Sequence, residues 1–284
     1  MEHVHVGRGT TRGALGVFPV WGEVDAERDY STALSAARVM EKAEPQVATL
    51  MLANTADLPL LLLKGQLLEG GWQDRMVAES LVIPPNEELA VSVVCVEVGR
   101  WNGRPQHGDS CRRATTRVQA GLRAGGDRQR EVWNRVSEYD AHYGRNATSS
   151  FIEHANRAAQ RVSPLVQGLR PFPGQIGVVI AIGGYPVSAE LFDSPLTLAE
   201  QFQSIVEAAA MDAVGRRAEV TPSRRARRFI AGAPNVKLHR TAPAGAGSVL
   251  VGAHDDASVS MLRWRGRDVH TSVLNPRHEL VRAS

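Results

Sequence analysis

Apolar residues fall mostly in short runs along this chain, and only a few stretches keep the three-to-four-residue rhythm of a helix. Residues 14–21 (ALGVFPVW) predict a first strand, with Pro19 placing it at a sheet edge. The polar residues 1–13, broken by Gly7, Gly9 and Gly13, predict a frayed start. Ala33, Leu34, Ala37, Val39 and Met40 fall near one helical face behind a candidate N-cap at Ser31, which predicts a helix over 30–44. Residues 47–53 and 60–63, separated by a turn-like 54–59, predict a hairpin. Residues 80–83 predict a short strand closed by Pro84 and Pro85. The β-branched run 89–98 (LAVSVVCVEV) predicts a central strand covered on both faces.

Residues 99–126 change character. They are rich in Gly, Arg and Gln and poor in apolar side chains, which predicts a long irregular loop. A helix over 127–143 follows, with Val132, Trp133, Val136 and Tyr139 or Tyr143 on one face. A second helix, capped by Thr148 or Ser149, carries Phe151, Ile152, Ala155, Ala159 and Val162 at helical spacing. Gly144-Arg145-Asn146 would join the two as a helical hairpin. Residues 176–182 and 185–192 flank Gly183-Gly184 and predict a β-hairpin. Thr197-x-x-Glu200 reads as a capping box for a long helix with Leu198, Phe202, Ile205, Val206 and Ala209 as its stripe and Gly215 as its stop. Pro222 opens a short basic helix ending near Gly232. Strands follow at 249–251, 259–264 and 269–274, with Arg265-Gly266 as a turn.

Strands and helices are not regularly interleaved, and no repeat has a fixed period. That favours an α+β fold over a doubly wound sheet. The expected architecture is mixed, mostly antiparallel sheets with a central helical hairpin and one long amphipathic helix. It forms one domain over 14–275: a β-rich part (14–98), the Arg-rich loop and helical hairpin (99–162), and a β/helix/β part (175–275).

Composition narrows the function. The chain has 284 residues, 43% of them hydrophobic and 22% charged, as in an ordinary globular protein. No apolar run approaches the roughly 20 residues of a membrane-spanning helix. The N-terminal MEHVHVGRGT lacks the apolar core of a secretory signal, so the expected setting is cytoplasmic and of bacterial type. Cys95 and Cys111 cannot build a disulfide framework or a four-cysteine zinc site. HExxH and CxxC are missing, and His107 with Cys111 supplies only two ligands, so no metal site is expected. Gly-x-Ser-x-Gly is missing too, and Cys95 sits in an apolar strand with Glu97 on the same face, where a carboxylate disfavours a thiolate. Gly121-x-x-x-Gly125-Gly126 leads into a helix as an anion cradle would, but Asp127 as N-cap would fill that place. No catalytic residue and no cofactor is named by the sequence.

The basic residues are unevenly drawn, with 30 Arg and only three Lys at a net charge of +3. Residues 100–135 hold nine Arg against Asp109, Asp127 and Glu131, a local +6, and residues 216–228 hold six against Glu219, a local +5. Nucleic-acid binding is one reading. The loop lacks interleaved aromatics for base stacking, and Arg replaces Lys throughout the chain, which points to a compositional bias instead.

The most informative constellation joins two runs, residues 69–75 (EGGWQDR) and 95–101 (CVEVGRW). If they meet at one end of a sheet, Glu69, Gln73, Arg75, Glu97 and Arg100 gather beside Trp72 and Trp101. Guanidiniums clamp phosphate and indoles stack on rings, which suits a sugar or nucleotide-like ligand. The alternative is a buried Arg–Glu network that pins the sheet end.

At these same residues the chain resembles a known family. Residues 60–75 (LLLLKGQLLEGGWQDR) and 91–101 (VSVVCVEVGRW) are similar to the paired runs of the ARG- and rhodanese-phosphatase-superfamily-associated protein family, where ARG stands for ADP-ribosylglycohydrolase. Later matches are Gln129-x-x-x-Trp133, Gly183-Gly184, Leu191-Phe192-Asp193 and Met211-Asp212-Ala213. Gln66 stands where an acidic residue is expected, and Trp72 at a Lys-like position. The resemblance implies association with ADP-ribose-processing proteins and carries over no activity, fold or cofactor. Taken with the site residues, the first expectation is a cytoplasmic accessory protein of ADP-ribose or NAD-derived nucleotide metabolism that binds an ADP-ribose-like ligand, with processing of that ligand as a further step. In that reading Arg75 and Arg100 clamp phosphate, Glu97 takes ribose hydroxyls, Trp101 stacks and Gln73 orients. The alternatives are a non-enzymatic module docking on a partner enzyme, and nucleic-acid binding through residues 100–135.

Overall fold

The computed structural model describes residues 4–24, 27–123 and 125–282. It is an α+β fold built on antiparallel pairing. Among the described residues, nine strands form one sheet. Its order is Leu15–Trp21, Gly177–Ile182, Tyr185–Phe192, Arg267–Leu274, Ala257–Trp264, Gly247–His254 and His239–Ala244, with the short strands His5–Val6 and Thr10–Arg12 along the free side of Leu15–Trp21. Six others close into a barrel in the order Glu88–Cys95, Thr49–Asn54, Ala37–Gln46, Gln106–Arg113, Gln66–Gly70 and Arg75–Val77. Leu60–Leu62 pairs separately with Leu81–Ile83.

Period-two alternation assigns the two sheet faces. Val178, Ile180 and Ile182 join the cluster that also contains Leu50, Leu67 and Val93 of the barrel and Leu198, Phe202 and Val206 of the Pro195–Ala213 helix. Their neighbours Val179 and Ala181 point the other way, onto Ala226 and Ile230 of the Ser223–Gly232 helix. The sheet is therefore covered on both sides, and the run of β-branched residues at 177–182 follows from that.

The C-terminal half matches its pattern closely. The Gly177–Ile182 and Tyr185–Phe192 strands form the expected hairpin around Gly183-Gly184. Arg265 and Gly266 both take positive φ (49° and 79°), the geometry of a two-residue hairpin turn. The Arg128–Ser137 helix is capped by Asp127, whose side chain accepts from the Arg130 N–H, so the anion-cradle position is filled as expected. The next long helix, Phe151–Val166, is capped one residue later than expected, by Ser150. The Pro195–Ala213 helix starts three residues earlier than the capping box implies, with Ser194 as N-cap. Thr197 bonds the Tyr30 hydroxyl and Glu200 bonds Arg28 and Thr32, so both side chains serve tertiary contacts instead.

The N-terminal half departs more. Residues 30–44 are not a helix; after a single 3-10 turn, Ala37–Gln46 is a barrel strand with Val39 and Glu41 buried at alternate positions. Good helix formers yield there to pairing on both edges. The expected 47–63 hairpin is split, because Thr49–Asn54 belongs to the barrel and Leu60–Leu62 pairs elsewhere. Residues 99–126 are not one irregular loop. They contain the Gln106–Arg113 strand and the Thr116–Ala120 helix. Polar side chains on an exposed barrel face hide that strand from a hydrophobicity reading. Of the expected frayed start, residues 1–3 lie outside the described residues, whereas His5–Val6 and Thr10–Arg12 are paired. Pro19 is not at an open edge. It sits in the gap between these two short strands, where its carbonyl accepts from the Gly7 N–H at 2.9 Å and no donor is needed. The 89–98 strand is Glu88–Cys95, and only its last residues are covered on both faces.

Candidate functional site

The two sequence runs meet as expected. Arg75 and Cys95 are register partners on adjacent barrel strands, and Val96 N–H donates to the Asp74 carbonyl at 3.0 Å just beyond them. Along the barrel interior the buried alternate positions Val91, Val93 and Val77 are apolar. At this end they give way to Cys95, Arg75 and Gln73, and neighbouring strands add Glu41 and His107.

Inside, Arg75 is fully buried. One of its terminal nitrogens lies 3.4 Å from Glu41 Oε1, and the other donates to the Gln73 Oε1 at 3.2 Å and to the Cys95 Sγ at 2.8 Å. His107 Nε2 reaches the same Glu41 oxygen at 3.1 Å, and so does the Trp72 N–H at 3.2 Å. The ring needs Gly71 beside it. That residue has φ +54°, and a Cβ there would lie 1.9 Å from His107 Nε2. Three buried polar atoms of this cluster have no hydrogen-bond partner among the described residues: Glu41 Oε2, Arg75 Nε and His107 Nδ1.

A second layer lies outside the first. Glu97 accepts from Arg100 Nε at 3.0 Å and from its terminal nitrogen at 2.7 Å, and from the Asp74 N–H at 3.0 Å. Arg100 also donates to the Gly71 carbonyl at 2.7 Å and the Gly70 carbonyl at 3.1 Å, while Gln73 Nε2 donates to the Glu97 carbonyl at 3.0 Å. The Ser150 cap hydroxyl donates to Asp74 at 2.8 Å, tying the Phe151–Val166 helix to the barrel. Trp72 and Trp101 meet edge to face, 5.4 Å between centroids, and the Arg75 guanidinium lies 5.6 Å from the Trp101 ring. Trp101 is 44% exposed, and the Arg100 side chain 25%.

The electrostatics follow from these contacts. Burial pushes the Cys95 thiol up to about 12; the Arg75 charge opposes this, and Glu41 and Glu97 add to it. The thiol is therefore protonated and donates to Gln73 Oε1 at 2.8 Å. Burial raises Glu97 most strongly of any single influence, but the hydrogen bonds and charge of Arg100, with further hydrogen bonds from Thr148 and the Asp74 N–H, together hold the carboxyl below its ordinary range. Burial raises Asp74 and lowers His107, the latter against the pull of Glu41.

All five candidate residues, Gln73, Arg75, Glu97, Arg100 and Trp101, thus share one network with Trp72. Glu69 is exposed and stands apart from it. Sequence reading missed Glu41 and His107, because each comes from a segment taken for something other than a strand. It also missed the part played by Gln129. That amide accepts from the Cys95 N–H and donates to the Cys95 carbonyl, both at 2.8 Å, and so stands in for a strand partner. Cys111 is exposed and His107 faces the barrel interior, so these two do not converge. Three arginines of 100–135 have carboxylate partners within the fold, while Arg104, Arg123, Arg128 and Arg130 are exposed. Arg113 pairs with Glu190 at 2.9 Å, Arg117 with Glu138, and Arg135 with Glu131 at 2.8 Å.

Fold and site together define an α+β protein in which a closed six-stranded barrel carries a charged network at one end, capped by two indoles. The chain belongs to the ARPP-1 family, the ARG and Rhodanese-Phosphatase-superfamily-associated Protein domain, whose family model matches residues 3–274. Comparison with curated proteins and with solved structures gives no match. The later motif residues of the resemblance have structural partners here: Asp212 accepts from the Tyr139 hydroxyl and Asp193 from the Tyr30 hydroxyl, each at 2.5 Å. No helix among the described residues is long and apolar enough to cross a membrane.

Proposed function

We propose that this chain is an accessory protein of ADP-ribose or NAD-derived nucleotide metabolism that binds an ADP-ribose-like ligand at the barrel end under Trp72 and Trp101. The observation that carries the reading is the stack itself: an exposed indole above a guanidinium, over three buried polar atoms without partners. An indole face suits a base or ribose ring. Arg100, a quarter exposed and held by Glu97, offers a fixed cation for a phosphate. Arg75 and Gln73, with Glu41 and His107, would orient the buried end of the ligand, and Glu97 would take ribose hydroxyls. The free cysteines, one of them exposed, fit a reducing, cytoplasmic setting.

Titration calorimetry with ADP-ribose, NAD and ribose 5-phosphate tests this. Saturable binding to at least one, weakened about tenfold or more by Trp101→Ala, is expected, since base–aromatic stacking contributes about 1–3 kcal/mol. No heat from any of the three ligands would sink the proposal. Product analysis of the same mixtures reports whether the ligand is also processed.

A second reading, docking on an ADP-ribose-processing enzyme, is favoured by one surface. Val24, Leu58 and Leu196 are exposed large apolar side chains that line a single open depression with Arg28 and Tyr30. Co-elution with an ADP-ribosylglycohydrolase or rhodanese-phosphatase encoded beside this chain, lost in Leu58→Glu, would support it. Separate elution of the two intact proteins would count against it.

A further inference from the structure

Two features outside the barrel end stand out, a buried polar cluster between barrel and sheet and a cleft beside it. The cluster centres on Glu190. Its carboxylate accepts from Arg113 at 2.9 Å and Ser272 at 3.1 Å and contacts His270 Nε2 at 2.6 Å, while His270 Nδ1 meets Ser80 Oγ at 2.9 Å. Ser80, His270 and Glu190 are all buried, which leaves a substrate no approach to the hydroxyl. Arg113 reaches further. Behind, it is held by Glu190; in front, it lines a cavity of about 660 Å³ between the C-terminal half of the Phe151–Val166 helix and the Pro195–Ala213 helix.

The backbone brings two arginines to that cavity. Adjacent residues of a regular strand point to opposite faces. In the Gln106–Arg113 strand the register against Gln66–Gly70 shifts between Asp109 and Arg113, and Cys111 takes φ +54° within the shift. The Asp109 carboxylate accepts from the Cys111 N–H at 2.9 Å and closes the irregularity. Bulges of this kind re-aim side chains. Here Arg112 and Arg113 both line the same cavity at the strand end. Arg170 lines it from the segment after Val166, against one carboxylate, Glu207. Glu207 already accepts from Gln203 at 2.7 Å. Neither the Arg112 nor the Arg170 side chain has a hydrogen-bond or ion-pair partner among the described residues. The rest of the wall is mixed: Val162, Phe202 and Met211 are apolar, and Ser163, Gln167 and Gln203 are polar.

A volume in the range of small-molecule sites, apolar side chains on a mixed wall and arginines beside them are the features of a site for an amphiphilic anion. We propose that this cleft binds a small organic oxyanion, a phosphate or carboxylate carried on an apolar body. Arg112 and Arg113 hold the anionic group, and Phe202, Val162 and Met211 cover the body. Arg113 is the preorganised member, because Glu190 fixes its guanidinium before any ligand arrives. Arg112, half-buried and without a partner, supplies the charge that a ligand neutralises. The site is separate from the barrel end and stands whether or not that end binds a nucleotide.

The test uses the full chain and the aromatic sulfonate 8-anilinonaphthalene-1-sulfonate as fluorescent probe, with phenyl phosphate as competitor. Expected is saturable fluorescence at one site per chain, displaced by phenyl phosphate. Arg112→Gln should weaken it about tenfold, in line with loss of one charge-assisted contact. Ala159→Trp, an exposed helix position on the cleft wall, should weaken it by filling the space. Arg128→Gln, an exposed arginine away from the cleft, should leave it unchanged. Circular dichroism checks that each variant is folded. The proposal is overturned if the probe shows no saturable binding, if phenyl phosphate does not displace it, or if either cleft variant retains the original affinity.

Discussion

Arg75 and Cys95 face one another across adjacent antiparallel strands, with a guanidinium nitrogen 2.8 Å from the sulfur. An adjacent cation ordinarily activates a thiol. Here burial wins, and the thiol stays protonated, pushed up to about 12. Cys111, by contrast, is exposed. Iodoacetamide at about pH 8 is therefore expected to label Cys111 quickly and Cys95 only after unfolding, because alkylation needs both access and thiolate. Peptide mass spectrometry of the native, labelled protein reads this directly. Fast labelling of Cys95 in the folded chain would show that the barrel end opens and that its thiol is activated.

The same guanidinium neutralises Glu41, which is buried and which His107 also contacts. Removing one member of a buried ion pair strands the other. Arg75→Ala is expected to lower unfolding free energy by about 3–5 kcal/mol, the usual cost of an uncompensated buried charge. The double variant Arg75→Met with Glu41→Gln removes both charges and should recover more than half of that loss. Urea denaturation of the single and double variants makes the comparison. Equal destabilisation in the two would mean that packing, not charge, sets the cost.

How much of this was legible in the sequence depends on what each strand faces. The Gly177–Ile182 strand is covered on both sides, so its apolar run and the Gly-Gly turn after it read correctly. The pairing of residues 69–75 with 95–101 read correctly too, since both runs carry unusual polar residues at a strand end. The barrel's other members did not. Ala37–Gln46 places only Val39 and Glu41 inward, and a buried Glu is counted as polar by any pattern. Gln106–Arg113 buries only His107 and Arg113 and otherwise exposes polar side chains, so nothing in its hydrophobicity distinguishes it from a loop. Glu41 and His107 were lost with their strands. A barrel whose end is filled by charges rather than aliphatics conceals part of its own site from sequence reading.

Gln129 is a residue whose role is visible only in three dimensions. Its side-chain amide satisfies both main-chain groups of Cys95 at the point where no strand partner does so. Gln129→Ala leaves a donor and an acceptor unpaired and is expected to cost about 1–3 kcal/mol, the desolvation penalty of such groups. Gln106→Ala, at an exposed position of a barrel strand, is the matched control and should stay within about 0.5 kcal/mol. Chemical denaturation midpoints at constant slope distinguish them. A neutral Gln129→Ala would mean that solvent replaces the amide without cost.

Burial lowers the titration of His107, His154, His270 and His278 below the ordinary value of 6.5, in each case against a partner that pulls the other way. A depressed histidine is neutral in the folded chain while the unfolded chain takes up a proton. Its contribution to stability is therefore complete above about pH 6.5 and is lost as the pH falls through the folded-state value. Asp74, Asp193 and Asp212 are raised by burial and act in the opposite sense, gaining stability on acidification. The histidine effect must therefore be read as a difference. His278 bonds the Ile182 carbonyl at 3.1 Å and accepts from the Leu280 N–H at 3.2 Å, and a glutamine amide can supply both contacts without a charge. His278→Gln is expected to lose less of its thermal midpoint than the parent protein between about pH 7.5 and 5.5, while the two differ little at the upper end. Calorimetric scans of both proteins across that range decide it. Identical losses would show that His278 does not titrate differently in the folded and unfolded chain.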